Sequence, residues 1–478
     1  MAQILKSFLQ EIIDAAEWPN KKEEQKNGSR KRKPGFVPDT DIKAFTTKSR
    51  LQKVLEELGR GDLLERIHDA DPPVKKIFLT LVRADMLSML DTVLSGGFSD
   101  HDLPMELDHL MQNNTLCYTD AEKFQTRQWQ FLSPVFGDEF KFDLQPEVLL
   151  PLTEKGQPIV SGFSLVYKVK VHPAHIPGGP TADSDIEKKL AMKEMDLRIP
   201  ERKKCLLREM KNLQSLRELG HPNLIRPVAA CTTEEHAFFF FPWADKGDLY
   251  SFWKDPANCK DKVVPWMLGQ MVGLSDALEL LADMNCRHSD LKPQNILVFP
   301  GGNSIGTLKI TDVGISKFHI LATTRRLDPT SAQHFTMRYC PPEFGELDAD
   351  KVNAYIEGSH RQKLSRRFDI WSLGCVFLEF LIWVKLGRTE YLDFDRLMGS
   401  SQRFYDRMSS TPESSNAKSV NTPESSKYLV HETVRSWLEK LEELQGTPDD
   451  AVVQQVLQLV KESMLVFDCR ERYTASQA

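Results

Sequence analysis

The chain has eight cysteines in 478 residues, at 117, 205, 231, 259, 286, 340, 375 and 469, and no two form a Cys-x-x-Cys pair. That spacing excludes the common thiolate zinc motifs. In a chain this long, scattered thiols read as reduced small hydrophobes of an intracellular protein. Long apolar runs are also lacking. The greasiest stretch, "DIWSLGCVFLEFLIWVKLG", carries Glu379 and falls short of the roughly 20 apolar residues that cross a bilayer, so it reads as a buried helix. No basic excess is present: 62 Lys and Arg stand against 68 Asp and Glu, a net charge of −6. Neither nucleic acid nor a membrane is therefore expected as a partner. The first residues do not read as a secretory leader, because Glu11 and Asp14 interrupt their apolar side chains, and the same acids argue against a mitochondrial presequence. These absences point to a cytoplasmic globular protein. A nuclear location rests only on Arg30-Lys31-Arg32-Lys33, a run that matches import signals but also ordinary solvated surface.

Residues 1–19 contain Ile4, Leu5, Phe8, Leu9, Ile12 and Ile13 at helical spacing, which predicts an amphipathic helix that ends at Trp18-Pro19. Its apolar face suits either a partner protein or the chain's own body. Residues 20–41 are charged and turn-rich, as a linker is. Residues 42–145 alternate helical patterns with breakers and predict a helical accessory domain. "SRLQKVLEELG" shows a serine cap and a closing glycine, and "PPVKKIFLTLVRADMLSMLDTVLSGG" starts with proline and ends with glycine, as helices tend to. From about 146 the texture changes. "SLVYKVKV" and "AFFFFP" read as strands, and the segments after 250 are mostly helical, which predicts an α+β domain over 146–478. Within it, 399–427 is low-complexity, repeats Thr-Pro-Glu-Ser-Ser at 411 and 422, and is expected to be a disordered insertion.

One constellation carries chemistry. Phosphoryl transfer from a nucleotide needs a cation on the phosphates, oxygen ligands for magnesium, and a carboxylate to orient the attacking hydroxyl. The chain supplies these in order. Lys193 in "AMKEM" follows a strand, and Glu209 lies on a predicted helix from which it could fix that lysine. In "HSDLKPQN", Asp290 suits the hydroxyl proton and Lys292 the transferring phosphoryl group. Asn295 and Asp312, the latter in "LKITDVG", are hard oxygen donors suited to magnesium. Each residue alone has an ordinary reading as a surface lysine, a turn former or, for His288, a packed structural histidine. Joint order and spacing distinguish them.

These stretches, with "YCPPEF", "DIWSLGCVFLEF" and "DCRERYTA", resemble in order the motifs of eukaryotic-type protein kinases over about residues 146–478. The insert positions and "FPWADKGDLYSFW" are similar to fungal serine/threonine kinases with helical N-terminal extensions. The resemblance implies a two-lobed fold, with a small β-rich lobe and a large helical lobe behind an α-helical N-terminal region. It also implies ATP and Mg2+ as cofactors and a protein substrate. By position it places Val166 and Ala191 above the adenine, Leu297 beneath it and Phe241 behind it. Pro242, Trp243 and Ala244 would offer hinge backbone groups, and Asp248 would face the ribose. Glu343 with Arg472, and Asp369 beneath the catalytic loop, would be structural supports.

Apart from Pro341, which stands for an alanine before Pro342-Glu343, the pattern departs from the family in three places. The three phosphate-loop glycines fall at Ile159, Ser161 and Ser164, and only Gly162 remains, so Ser161 and Gly162 are what is left to approach phosphate. A stiff, bulky isoleucine there predicts a stiffer loop and weaker nucleotide affinity. Val313 replaces the phenylalanine after the metal-binding aspartate. Ser289 replaces the arginine that answers an activation-segment phosphate, which predicts activity independent of phosphorylation at Thr323, Thr324, Thr330 or Ser331. The rival expectation is a pseudokinase scaffold with little catalysis.

Overall fold

The structure is a computed structural model that describes residues 3–21, 35–112, 115–161, 164–176, 188–198, 200–259, 264–284, 286–301, 305–313, 337–345, 367–399, 402–408 and 427–478. Arg30 to Lys33, Gly162, the four hydroxyl residues at 323–331, Thr411 and Thr422 lie outside the described residues, as do the side chains of Ser161 and Glu209. The chain forms two compact units. The first holds Met1–Val160, Ser164–Arg198 and Val228–Trp243, and the second holds Ser161–Phe163, Ile199–Pro227 and Ala244–Ala478.

The first unit contains a six-stranded sheet in the order β1-β5-β6-β4-β3-β2. Its strands are β1 (Lys141–Asp143), β2 (Leu152–Ser161), β3 (Ser164–Val171), β4 (Lys188–Asp196), β5 (Ala229–Thr232) and β6 (His236–Pro242). β1 pairs with β5 in parallel, whereas β3 with β4, β4 with β6 and β5 with β6 are antiparallel. Strand alternation puts Leu190 and Met192 into one core with Val169, Val171, Phe136 and Phe240.

The same unit holds the N-terminal helices, chiefly α1 (Gln3–Ala15), α2 (Asp39–Phe45), α3 (Lys48–Glu57), α4 (Lys75–Arg83) and α5 (Tyr118–Gln128). The apolar face of α1 is covered by its own chain: Leu5, Phe8 and Ile12 are buried in one core with Leu51, Leu55 and Phe78. Each such side chain contributes about 1.5–3 kcal/mol when removed from water, enough to hold a helix that short peptides would not sustain. That face is therefore taken.

Three local expectations are corrected here. Ser49 is not a cap, because α3 begins at Lys48 behind Thr47 and Thr47 makes no side-chain cap bond. The 72–97 stretch is not one helix, because α4 stops where Asp85 turns left-handed (φ 58°) and Met86 N–H donates to Leu81 C=O at 2.8 Å, a closed helix end. The expected linker is packed at its described ends. Phe36 and Val37 are each 1% exposed, and Phe36 exchanges backbone hydrogen bonds with Glu17 at 2.7 and 2.9 Å.

The second unit is mainly helical: α6 (Pro200–Leu219), α7 (Leu249–Lys254), α8 (Val264–Asp283), α9 (Arg367–Leu381), α10 (Arg388–Met398), α11 (Glu432–Glu442) and α12 (Pro448–Leu459). Two small sheets join them, β7 (Ile296–Phe299) with β8 (Thr307–Ile310), and β9 (Tyr405–Arg407) with β10 (Tyr428–Val430). Every residue of α9 from Phe368 to Leu381 is buried, as the greasy run predicts. Among the described residues no helix is long and apolar enough to cross a membrane. The described first residues of the segment expected to be a disordered insertion are packed. Phe404 and Tyr405 are buried, and Tyr405 packs edge-on against Trp371 and Tyr428. Two aromatic side chains suffice to fold the first residues of the segment onto the helices.

Candidate active site

β7 follows a short loop whose groups are held from two sides. Asp369, at the start of α9, accepts the backbone N–H of Ser289 at 2.7 Å and of His288 at 2.9 Å. Burial pushes the Asp369 carboxyl up, and its two N–H donors work in the opposite direction. His288 is fully buried. Its Nδ1 accepts the Asp290 N–H at 3.3 Å, which leaves Nε2 to donate to the Thr311 C=O at 2.7 Å. That pattern assigns a neutral imidazole with the proton on Nε2, joining the loop to the strand end before Asp312. The structural reading of His288 therefore holds.

The loop also carries backbone strain. Ser289 has φ 62° and Asp312 has φ 62°, left-handed values that a non-glycine residue holds only when its surroundings over-determine them. At Ser289 the determining contact is Asp369.

Within this unit Asp290, Lys292 and Asn295 come together. Lys292 Nζ lies 3.0 Å from Asp290 Oδ2, with side chains 12% and 8% exposed. Asn295 Nδ2 donates to the Asp290 C=O at 2.7 Å and to Asp290 Oδ2 at 3.1 Å. With its amide nitrogen committed, Asn295 has its amide oxygen left as a ligand. The Asn295 C=O accepts the Thr311 N–H at 2.9 Å and so ties the residue to the segment that carries Asp312. Hard oxygens from one amide and one carboxylate fit magnesium, which takes one or two protein ligands and completes its shell with phosphate and water. Val313 is buried at 1% exposed. Leu297 is half-buried on β7, between the core residues Ile296 and Val298.

Asp248, the residue expected at the ribose, also has a local structural role. It caps α7, accepting the Ser251 N–H at 2.9 Å and the Ser251 hydroxyl at 3.0 Å. In the same unit, Arg472 grips Glu343 through two bonds, Nη1–Oε1 at 2.8 Å and Nη2–Oε2 at 3.1 Å.

The sheet unit carries the remaining candidates. Lys193 is buried on β4, opposite Val166 on β3 and Phe239 on β6. Ala191 and Val166 are half-buried, and Phe241 is buried at the end of β6. Trp243 N–H donates to the Lys189 C=O at 3.3 Å, and its ring lies 4.9 Å from Lys168 Nζ. Trp243 therefore has no free backbone donor for a nucleotide, because the sheet uses it. In the other unit, the Ala244 C=O accepts from Gly247 at 3.1 Å. At the phosphate-loop end of β2, Ile159 is 56% and Val160 67% exposed.

One polar cluster was not legible in the sequence. Arg338, 4% exposed, lies 2.9 Å from Glu379 and 2.7 Å from Asp395, and the Tyr339 hydroxyl donates to Glu379 at 3.0 Å. Lys254 and the Tyr250 hydroxyl complete it at Asp395, at 2.8 and 3.0 Å. Burial pushes the Glu379 carboxyl up to about 7 against the pull of Arg338. Burial also acts to raise Asp395, but the bonds from Lys254 and Arg338 leave its carboxyl below the ordinary range. The residues are scattered over 145 positions, from 250 to 395, with no spacing to signal them.

Comparison with known proteins bears on the same residues. The protein kinase domain family matches residues 181–478. The chain is 30% identical over 199 residues to a probable cell division protein kinase of Encephalitozoon cuniculi, covering 42% of this chain and 64% of that protein. It is 26% identical over 166 residues to a meiosis-specific serine/threonine-protein kinase of Schizosaccharomyces pombe (35% of each), and 29% identical over 200 residues to cyclin-dependent kinase 8 of Caenorhabditis elegans (40% of this chain, 31% of that one). The chain thus spans less than two thirds of the length of these relatives. With the match running over more than half of its residues and through the Asp290–Asn295 loop, the chain belongs to the protein kinase domain family.

Proposed function

We propose that the chain transfers the terminal phosphoryl group of ATP to serine or threonine hydroxyls of a protein substrate, without requiring phosphorylation of its activation segment. The observation that carries this reading is the arrangement at Asp290. Its carboxylate is bracketed by Lys292 at 3.0 Å and Asn295 at 3.1 Å, so it is held as an acceptor for a hydroxyl proton. Lys292 offsets charge on the transferring group, and Lys193 provides the second cation for the phosphates. Asn295 and Asp312 would hold magnesium. Bound there, the ion would neutralise phosphate charge and orient the leaving oxygen. Lysine two residues after Asp290 favours serine/threonine acceptors. Glu209 remains the proposed partner of Lys193. For phosphorylation-independence, the support is Ser289, whose hydroxyl cannot pair with a phosphate as arginine does. The helical region before the sheet is read as a regulatory or docking module, the latter for a partner protein.

The exposed Ile159 and Val160 favour a second reading, a scaffold that binds nucleotide weakly and turns over little. Purified protein with labelled ATP and a generic acceptor separates the two. The kinase reading expects transfer that Asp290→Ala lowers by about 10² to 10⁴-fold, with a Mg-ATP thermal shift in both proteins. Equal transfer by the two proteins would sink it, and no shift at millimolar nucleotide would favour the scaffold.

A further inference from the structure

Within the sheet unit, a cleft of about 550 Å³ opens where the N-terminal segment and the 144–150 loop meet the sheet. Its wall includes the apolar side chains of Trp18, Phe36, Leu144, Leu150, Met192 and Phe238. It is not the nucleotide surface. Met192 and Glu194 line it, and Lys193 between them points to the other face of β4 by strand alternation. The volume lies in the range of ligand sites, far above the water-sized voids of a packed interior.

The wall is built in advance. Asn20 clamps the edge of β2, its backbone N–H donating to the Thr153 C=O at 2.7 Å while its amide exchanges two bonds with the Lys155 backbone at 3.2 Å. Two further backbone bonds join Glu17 to Phe36. A ligand would therefore not have to order this wall on arrival.

The rim sets the charge of the occupant. Four carboxylates line the cleft, Glu17, Glu194, Glu234 and Glu235, against one lysine, Lys155, and one histidine, His236, whose Nδ1 lies 3.4 Å from Glu194. Lys155 is engaged, 3.5 Å from Glu194 and 3.9 Å above the Tyr167 ring, and Glu17 holds Lys21 at 3.3 Å. Glu234 and Glu235 stand exposed at the turn between β5 and β6. Among the described residues no salt bridge reaches either one. Arg198, which feels Glu235 electrostatically, is hydrogen-bonded to Asp196. Apolar side chains beneath carboxylates that no described lysine or arginine pairs complement an apolar side chain flanked by cations.

We propose that this cleft docks a peptide segment of a partner protein, one that carries a bulky apolar side chain beside lysine or arginine. The site works independently of phosphoryl transfer, and its test does not depend on activity. The full chain is titrated, by fluorescence polarisation, into a labelled octapeptide whose central tryptophan–leucine pair is flanked on each side by two arginines. A second peptide has glutamates in place of the arginines. The basic peptide should bind saturably and the acidic one at least about tenfold more weakly, with the difference shrinking as salt screens the rim. E234K/E235K should weaken the basic peptide about tenfold or more without lowering the melting temperature, since both side chains are exposed. Leu150→Glu, which puts a charge on the wall, should weaken both peptides. No saturable binding, equal binding of the two peptides, or binding of the basic peptide that E234K/E235K leaves unchanged would overturn the proposal. Self-association of the free chain that E234K/E235K abolishes would overturn it as well, by assigning the cleft to a second copy.

Discussion

Asp369 Oδ1 accepts the backbone N–H of Ser289 at 2.7 Å, and through that bond the first turn of α9 fixes a left-handed residue next to Asp290. Asp369→Asn keeps one acceptor oxygen but faces the second N–H with its own amide donors. An unpaired buried donor costs about 1–3 kcal/mol. Denaturant unfolding should show a loss of that size. Phosphoryl transfer should fall with it, while the KM for ATP changes by less than about threefold, as expected where transition-state positioning is lost and ground-state binding is kept. An unfolding midpoint equal to wild type would count against this role of Asp369.

Ser289 also bears on switching. Phosphatase-treated protein, and a variant with alanine at Thr323, Thr324, Thr330 and Ser331, should keep kcat within about twofold, because no arginine stands ready at 289 to convert a phosphate's charge into loop order. Loss of activity on dephosphorylation, reproduced by the alanine variant, would refute this.

Arg338 bridges Glu379 and Asp395 in a buried setting. Arg338→Met removes the cation and leaves two acids with less compensation, a change that costs about 3–5 kcal/mol in comparable buried pairs. The expected signature is pH-dependent. Burial holds the Glu379 carboxyl at about 7, above its ordinary 4.5, so the folded state keeps the proton that the unfolded chain releases. Stability from this group is therefore greatest below about 4.5 and is lost as pH rises through 7. The variant should accordingly be closest to wild type in mildly acid buffer and furthest from it at pH 8, as read by urea unfolding at both values. A deficit independent of pH would contradict the assignment.

His175 sits in the sheet unit with Nδ1 2.8 Å from the Pro134 C=O, and its Nε2 accepts the Asp39 N–H at 3.1 Å. Burial lowers its pKa from 6.5 to about 4. Between those values the unfolded chain takes a proton that the folded chain refuses. Stability from His175 is thus complete above about 6.5 and falls as pH drops towards 4, by on the order of 3 kcal/mol. His175→Gln can make both bonds without titrating. Its unfolding free energy should lose correspondingly less over that interval, and parallel pH curves for the two proteins would exclude the effect.

Much of the candidate site was legible in "HSDLKPQN" and "TDVG". Phosphoryl transfer needs specific groups at short range, and a loop of a few residues can deliver Asp290, Lys292 and Asn295 together. The strands were legible as well, because "SLVYKVKV" and "AFFFFP" are dense in β-forming side chains. Helix limits were less so. Asp85 ended a helix that a proline-to-glycine pattern had drawn as continuous, and Phe36 and Phe404 anchored segments whose average composition looked unstructured.

The sequence by itself determined which groups are available for chemistry and which helix and strand faces must be covered, since side-chain identity and apolar period are local properties. Only the tertiary structure decided the proton position on His288, the use of Asp248 as a helix cap, the meeting of Arg338 with Glu379 and Asp395, and the acid-rimmed cleft between Trp18, Leu150 and Met192. Each of these depends on distance, burial or a hydrogen-bond partner supplied from far along the chain. Such partners leave no trace in spacing, because what selects them is the geometry of the folded units.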